Sequence, residues 1–144
     1  MIAIASDHAG YSLKEEAKNY LNSKTIPYRD FGSFDATACD YPDFARLACD
    51  AVISGECEKA LLFCGTGIGM CISANKIKGI RAAVCSDSFS VYSTRSHNDA
   101  NVLCLGERVV GPGLAMQLID LFLETPFQGD RHQRRIDKIT ALEE

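Results

Sequence analysis

One cysteine and a short series of glycines stand at a spacing that could do chemistry. Ala60-Leu61-Leu62-Phe63 runs apolar into Cys64, after which Gly65, Gly67 and Gly69 alternate with Thr66 and Ile68. Such a run reads as a buried strand, an anion-cradling turn and a helix N-terminus. The helix dipole and the turn's N–H groups favour a thiolate there, so Cys64 is a candidate base. The Thr66 hydroxyl, two residues on, could hydrogen-bond that thiolate or a substrate oxygen. The plainer reading is a tight turn with no ligand, since free cysteine is among the most buried residue types.

A dinucleotide fingerprint would need its third glycine at position 70, which is Met70. Only Asp87, near the end of a later strand where a ribose-binding acid could stand, keeps a nucleotide reading open. The Gly65-x-Gly67-x-Gly69 nest better suits one small anion, a phosphate or a developing enediolate. Three histidines occur, His8, His97 and His132, none inside an apolar run. His8 follows Asp7 and His97 precedes Asn98, each beside a predicted strand, which suits general acid–base work. Arg131 and Arg135, four apart, share a helix face and could fork onto a phosphate, although Arg134 is also one turn from Arg131. Arg108 could add a third guanidinium. Otherwise this helix face is simply solvated.

The elements that must position these groups alternate regularly. Strands are predicted at 2–6, 26–31, 59–64, 80–85 and 101–105. Helices are predicted from Leu13 to Asn22, from Pro42 to Gly55, over 67–76, from Ser86 or Asp87 toward Ser96, over 114–123 and over 131–142. Five strands alternating with helices imply a three-layer α/β/α sandwich, a doubly wound, Rossmann-like, five-stranded parallel sheet in a single domain spanning 1–144. Such sheets bind ligands outside the C-terminal strand ends. That selects Asp7-His8, Cys64-Gly65-Thr66, Ser86-Asp87 and the turn after Leu105.

Composition bounds the partners. The chain has 144 residues, a formal charge of −4 and 47% hydrophobic residues, so there is no global attraction to nucleic acid or to an anionic membrane. No apolar run approaches the roughly 20 residues that span a bilayer, and no signal peptide precedes Ile2. Seven cysteines without a C-x-x-C read as buried reduced thiols. A thiol redox sensor built on Cys64 would lack a resolving cysteine nearby in sequence. The chain reads as complete and cytoplasmic.

At five stretches a resemblance enters. Ser6-Asp7-His8-Ala9-Gly10, Cys64-Gly65-Thr66-Gly67-Ile68-Gly69, Ser96-His97-Asn98-Asp99-Ala100-Asn101, Gly106-Glu107-Arg108-Val109-Val110-Gly111 and Arg131-His132-Gln133-x-Arg135 resemble ribose-5-phosphate isomerase type B, in order and across the whole chain. Part of that family has glycine at the cysteine position and glutamate where this chain has Met70, so the resemblance is to the cysteine branch.

The resemblance implies a metal- and cofactor-free aldose–ketose isomerase of ribose 5-phosphate and ribulose 5-phosphate in the non-oxidative pentose phosphate pathway. Cys64 would be the base of a cis-enediolate mechanism, with Thr66 shuttling protons and the amides of Gly65, Gly67, Ile68 and Gly69 around the enediolate. His97, with Asp7, would open the sugar ring. Arg131, Arg135, His8 and Arg108 would hold the phosphate. It also implies a homodimer, or a tetramer, with shared sites to which His97, Asn98 and Arg108 contribute from the partner. Six-carbon substrates, allose 6-phosphate or galactose 6-phosphate, are the alternative within the class. A non-catalytic nucleotide- or flavin-binding module is the alternative outside it.

Overall fold

The strands are apolar along their whole length because both faces of the sheet are covered. In the computed structural model, which describes residues 1–144, every residue of β1 (Ile2–Ser6) and β5 (Val102–Gly106) is buried, as is β3 (Lys59–Cys64) beyond its first residue. With the edge strands β2 (Tyr28–Asp30) and β4 (Ala82–Val84) they form one parallel sheet in the order β2-β1-β3-β5-β4. The edge strands are shorter than the 26–31 and 80–85 expected, since each pairs on one side only.

Six α-helices complete the three layers: α1 (Tyr11–Ser23), α2 (Tyr41–Ile53), α3 (Ile68–Asn75), α4 (Ser88–Ser96), α5 (Pro112–Glu124) and α6 (Arg131–Ala141). Alternation along β3 divides the core. Leu61 and Phe63 pack with Leu13 and Leu21 of α1 and Leu118 and Phe122 of α5. Ala60, Leu62 and Cys64 face the other way, toward Ala45, Ala48 and Cys49 of α2 and Met70 and Ala74 of α3. Each fully buried leucine or phenylalanine contributes about 1.5–3 kcal/mol, so the sheet centre is the rigid platform for the strand ends. No helix is long and apolar enough to cross a membrane.

Local chemistry starts the helices. Pro42 and Pro112 occupy the first turns of α2 and α5, where a missing N–H costs nothing. Asp87 caps α4 by accepting the Ser90 N–H at 2.7 Å. Of the two residues expected to start this helix, Ser86 and Asp87, it is Asp87 that caps it.

Candidate active site

Cys64 ends β3 with its side chain on the α2/α3 side and only 4% of its surface exposed. The chain then turns through Gly67, which takes φ +81° as the N-cap of α3 and donates its N–H to Cys64 Sγ at 3.1 Å. Thr66 Oγ1 accepts the Ile68 N–H at 3.2 Å, which leaves the hydroxyl proton free to donate outward. On the neighbouring strand, Asp7 Oδ1 accepts the N–H groups of Ala9 and Gly10 at 2.9 and 3.0 Å and so holds the turn after β1. His8 is exposed, and its Nδ1 accepts the Cys39 N–H at 3.2 Å. In the neutral ring that assigns the proton to Nε2.

These strand ends wall a cavity of about 610 Å³ that contains Asp7, His8, Cys64, Gly65, Thr66, Ile68, Gly69 and Arg108. Arg108 arrives by backbone pairing. The Glu107 and Arg108 amides donate to the carbonyls of Cys64 and Gly65 at 2.9 and 3.0 Å, while the Glu107 carboxylate accepts the Leu13 N–H of α1 at 2.7 Å. A Cβ at Gly65 would lie 3.5 Å from Arg108 Nη1, so the guanidinium sits over the glycine turn of its own chain. Within one chain Arg108 therefore lines the same cavity as Cys64.

The opposite wall was not anticipated. Cys39, Asp40 and Tyr41 line it, and the Tyr41 ring occupies the space a Gly69 Cβ would need, at 2.7 Å. The sequence marked 33–40 only as a polar loop. What holds that loop is Lys14, whose side chain is fully buried. Its ammonium donates to both Asp30 oxygens at 2.8 and 3.0 Å and to the Ser33 carbonyl, with the Tyr11 and Phe34 rings at 5.4 and 5.5 Å. Burial opposes ionisation of Asp30, but hydrogen bonds from Lys14, Lys18 and the Gly32 amide outweigh it and hold its pKa below the usual value.

His97, Asn98, Arg131 and Arg135 are not in this cavity. In a parallel sheet, residues that precede strands collect at one edge and residues that follow them at the other. His97 and Asn98 precede β5, whose five residues separate the two edges by about 16 Å. Helix α6 joins them at that far edge, where the His132 ring stacks on His97 with centroids 4.3 Å apart and planes 12° from parallel. His132 was not among the expected site residues. Burial first, then the charges of Arg131, His97 and Arg135, lower its pKa.

Asn98 lines a second cavity, of about 620 Å³, between α3, β4 and α6. It contains no cysteine or histidine, so of the two cavities only the first brings a thiol and an imidazole together. All seven cysteines are free. Cys71, one helical heptad beyond Cys64 and half-buried rather than core, is drawn down to about 7, chiefly by a hydrogen bond from Cys104. Burial pushes the Cys104 thiol up.

The family model for Ribose/Galactose Isomerase matches residues 2–139. Ribose-5-phosphate isomerase B of Escherichia coli is 43% identical over 143 residues, covering 99% of this chain and 96% of the relative. D-erythrulose-4-phosphate isomerase of Pectobacterium atrosepticum is 42% identical, covering 99% and 94%. Among solved structures, ribose-5-phosphate isomerase B of Clostridium thermocellum superposes with a TM-score of 0.97 at 48% identity, covering 99% and 96%. These matches displace the non-catalytic nucleotide- or flavin-binding alternative. An isomerase with a cysteine at a strand end beside a glycine turn, the chain belongs to the ribose/galactose isomerase family.

Proposed function

We propose that the protein interconverts ribose 5-phosphate and ribulose 5-phosphate through a cis-enediolate. The observation that carries this reading is the Cys64 thiol, which accepts the Gly67 N–H and lines a cavity together with Gly65, Thr66, Gly69 and Arg108. Ring opening comes first: His97, with Asp7, delivers a proton to the ring oxygen as O1 loses its own. Cys64, as thiolate, then takes the C2 proton, and the electron pair moves onto the carbonyl oxygen. Amides of the Gly65–Gly69 turn stabilise that developing charge. Cys64 returns the proton to C1, and Thr66 moves the hydroxyl proton between O1 and O2.

The two groups of residues lie at opposite ends of the strands, so this reading calls for a second copy of the chain. A second copy presenting its His97, Asn98, Arg131 and Arg135 to the Cys64 cavity completes it, with the phosphate held by these arginines together with His8 and Arg108. Ile68 and Ile72, both on the cavity wall and more than half exposed, form an apolar rim suited to such a contact. Seven free thiols suit the reducing cytoplasm.

The Pectobacterium relative supports a second reading, in which a four-carbon sugar phosphate is preferred. Comparing kcat/KM on ribose 5-phosphate, erythrulose 4-phosphate, allose 6-phosphate and galactose 6-phosphate ranks the substrates. Ribose 5-phosphate should lead, and Cys64→Ala should abolish its turnover. Near-native activity of Cys64→Ala would remove the thiol from the mechanism.

A further inference from the structure

His97 is set apart by how its ring is held. No side-chain hydrogen bond orients it, although it is only half-buried at the C-terminus of α4. What meets it is the flat face of His132 at 4.3 Å. His132 itself is 6% exposed, and its Nε2 is buried with no hydrogen-bond partner. A protonated imidazole carries N–H on both nitrogens, and the one at Nε2 would find no acceptor. The site therefore holds His132 as the neutral ring. A neutral ring can lie parallel to His97 whether or not His97 bears a proton, whereas two imidazolium rings at this separation would repel.

We propose that His132 is the positioning residue for His97, a neutral aromatic plate that fixes the His97 ring in the plane needed for proton transfer during sugar ring opening. The inference rests on the aldose–ketose reading above and assigns His132 no contact with the reacting atoms. It separates His132 from its helix neighbours Arg131 and Arg135, whose part is to hold the phosphate.

The test uses a chemical asymmetry of the substrate pair. Ribose 5-phosphate closes into a furanose that must be opened. Ribulose 5-phosphate cannot close the corresponding ring, because its O5 carries the phosphate. Deuterium uptake at C1 of ribulose 5-phosphate in D2O thus reports enediolate formation alone, with the same phosphate to bind. General acid–base groups contribute about 10²–10⁴-fold, so His132→Ala should lower kcat on ribose 5-phosphate by about tenfold or more. Its C1 exchange should stay within about twofold of the wild type, since that step needs no ring opening. His132→Phe keeps a flat ring and removes the orphan nitrogen, and it should retain both rates within about threefold.

If His132→Ala does not fold, His132→Leu, apolar but not flat, takes its place in the comparison. Both rates falling together, neither falling, or His132→Phe losing ring opening as severely as the aliphatic variants would overturn the proposal. Failure of the wild type to isomerise ribose 5-phosphate would instead overturn the substrate reading, and the two failures are distinguishable.

Discussion

The Gly67 amide donates to the Cys64 thiol at 3.1 Å from a backbone held at φ +81°. Donor and conformation are inseparable, because a Cβ at Gly67 would stand 2.9 Å from Val84 Cγ2 and 3.1 Å from the Leu105 carbonyl carbon. The left-handed conformation alone costs an L-residue about 1–2 kcal/mol.

Gly67→Ala should therefore move the cradle away from the sulfur. Loss of one oxyanion donor costs about 10²–10³-fold in kcat, so a displaced donor should cost at least about tenfold. Gly113, in the first turn of α5 with open space around it, is the control. Gly113→Ala should leave kcat unchanged. Steady-state kinetics on both variants checks this, and equal behaviour would refute it.

Lys14 ties α1 to the loop that walls the cavity. Removing one partner of a buried ion pair costs about 3–5 kcal/mol. Lys18 also reaches Asp30, at 2.9 Å, which places Lys14→Met near the lower figure. For a chain of this length that is a Tm lower by roughly 6–12 °C. Loosening the loop also releases the Cys39 N–H from His8, so KM for the phosphate substrate should rise. A calorimetric scan alongside kinetics at 20 °C tests both effects.

The depressed pKa of His132 makes stability depend on pH in one direction. Burial is the main cause, Arg131, His97 and Arg135 add to it, and Asp130 opposes. The unfolded ring takes a proton near pH 6.5, while the folded ring takes one only at lower pH. Below about pH 6.5 the unfolded state thus binds more protons, and the chain loses stability as pH falls toward the folded pKa. His132→Phe should lack this component. Denaturant unfolding between pH 7.5 and pH 5 should show the wild type losing more stability than the variant, and parallel curves would rule the linkage out.

The sequence by itself determined the alternation of strands and helices and the run from Ala60 to Gly69. Those features depend on neighbours a few residues apart, where apolar runs, glycine and helix-starting proline act directly on the backbone. The motifs of Asp7-His8, Cys64-Gly65-Thr66 and the turn after Leu105 were legible for the same reason, since a parallel sheet brings its C-terminal strand ends together.

Other relationships required the tertiary structure. Nothing along the chain pairs Lys14 with Asp30 and the Ser33 carbonyl, which the fold brings to it. His97 sits beside His132, 35 positions away, only because α6 folds back against the C-terminus of α4. Strand direction sends His97 and Asn98 to the end of the sheet opposite Cys64, and the packing of α6 brings Arg131 and Arg135 to the same end. Periodicity along a chain reports which side of an element is buried; which edge of the sheet a residue occupies, and what meets it there, is set by strand direction and by the packing of distant segments.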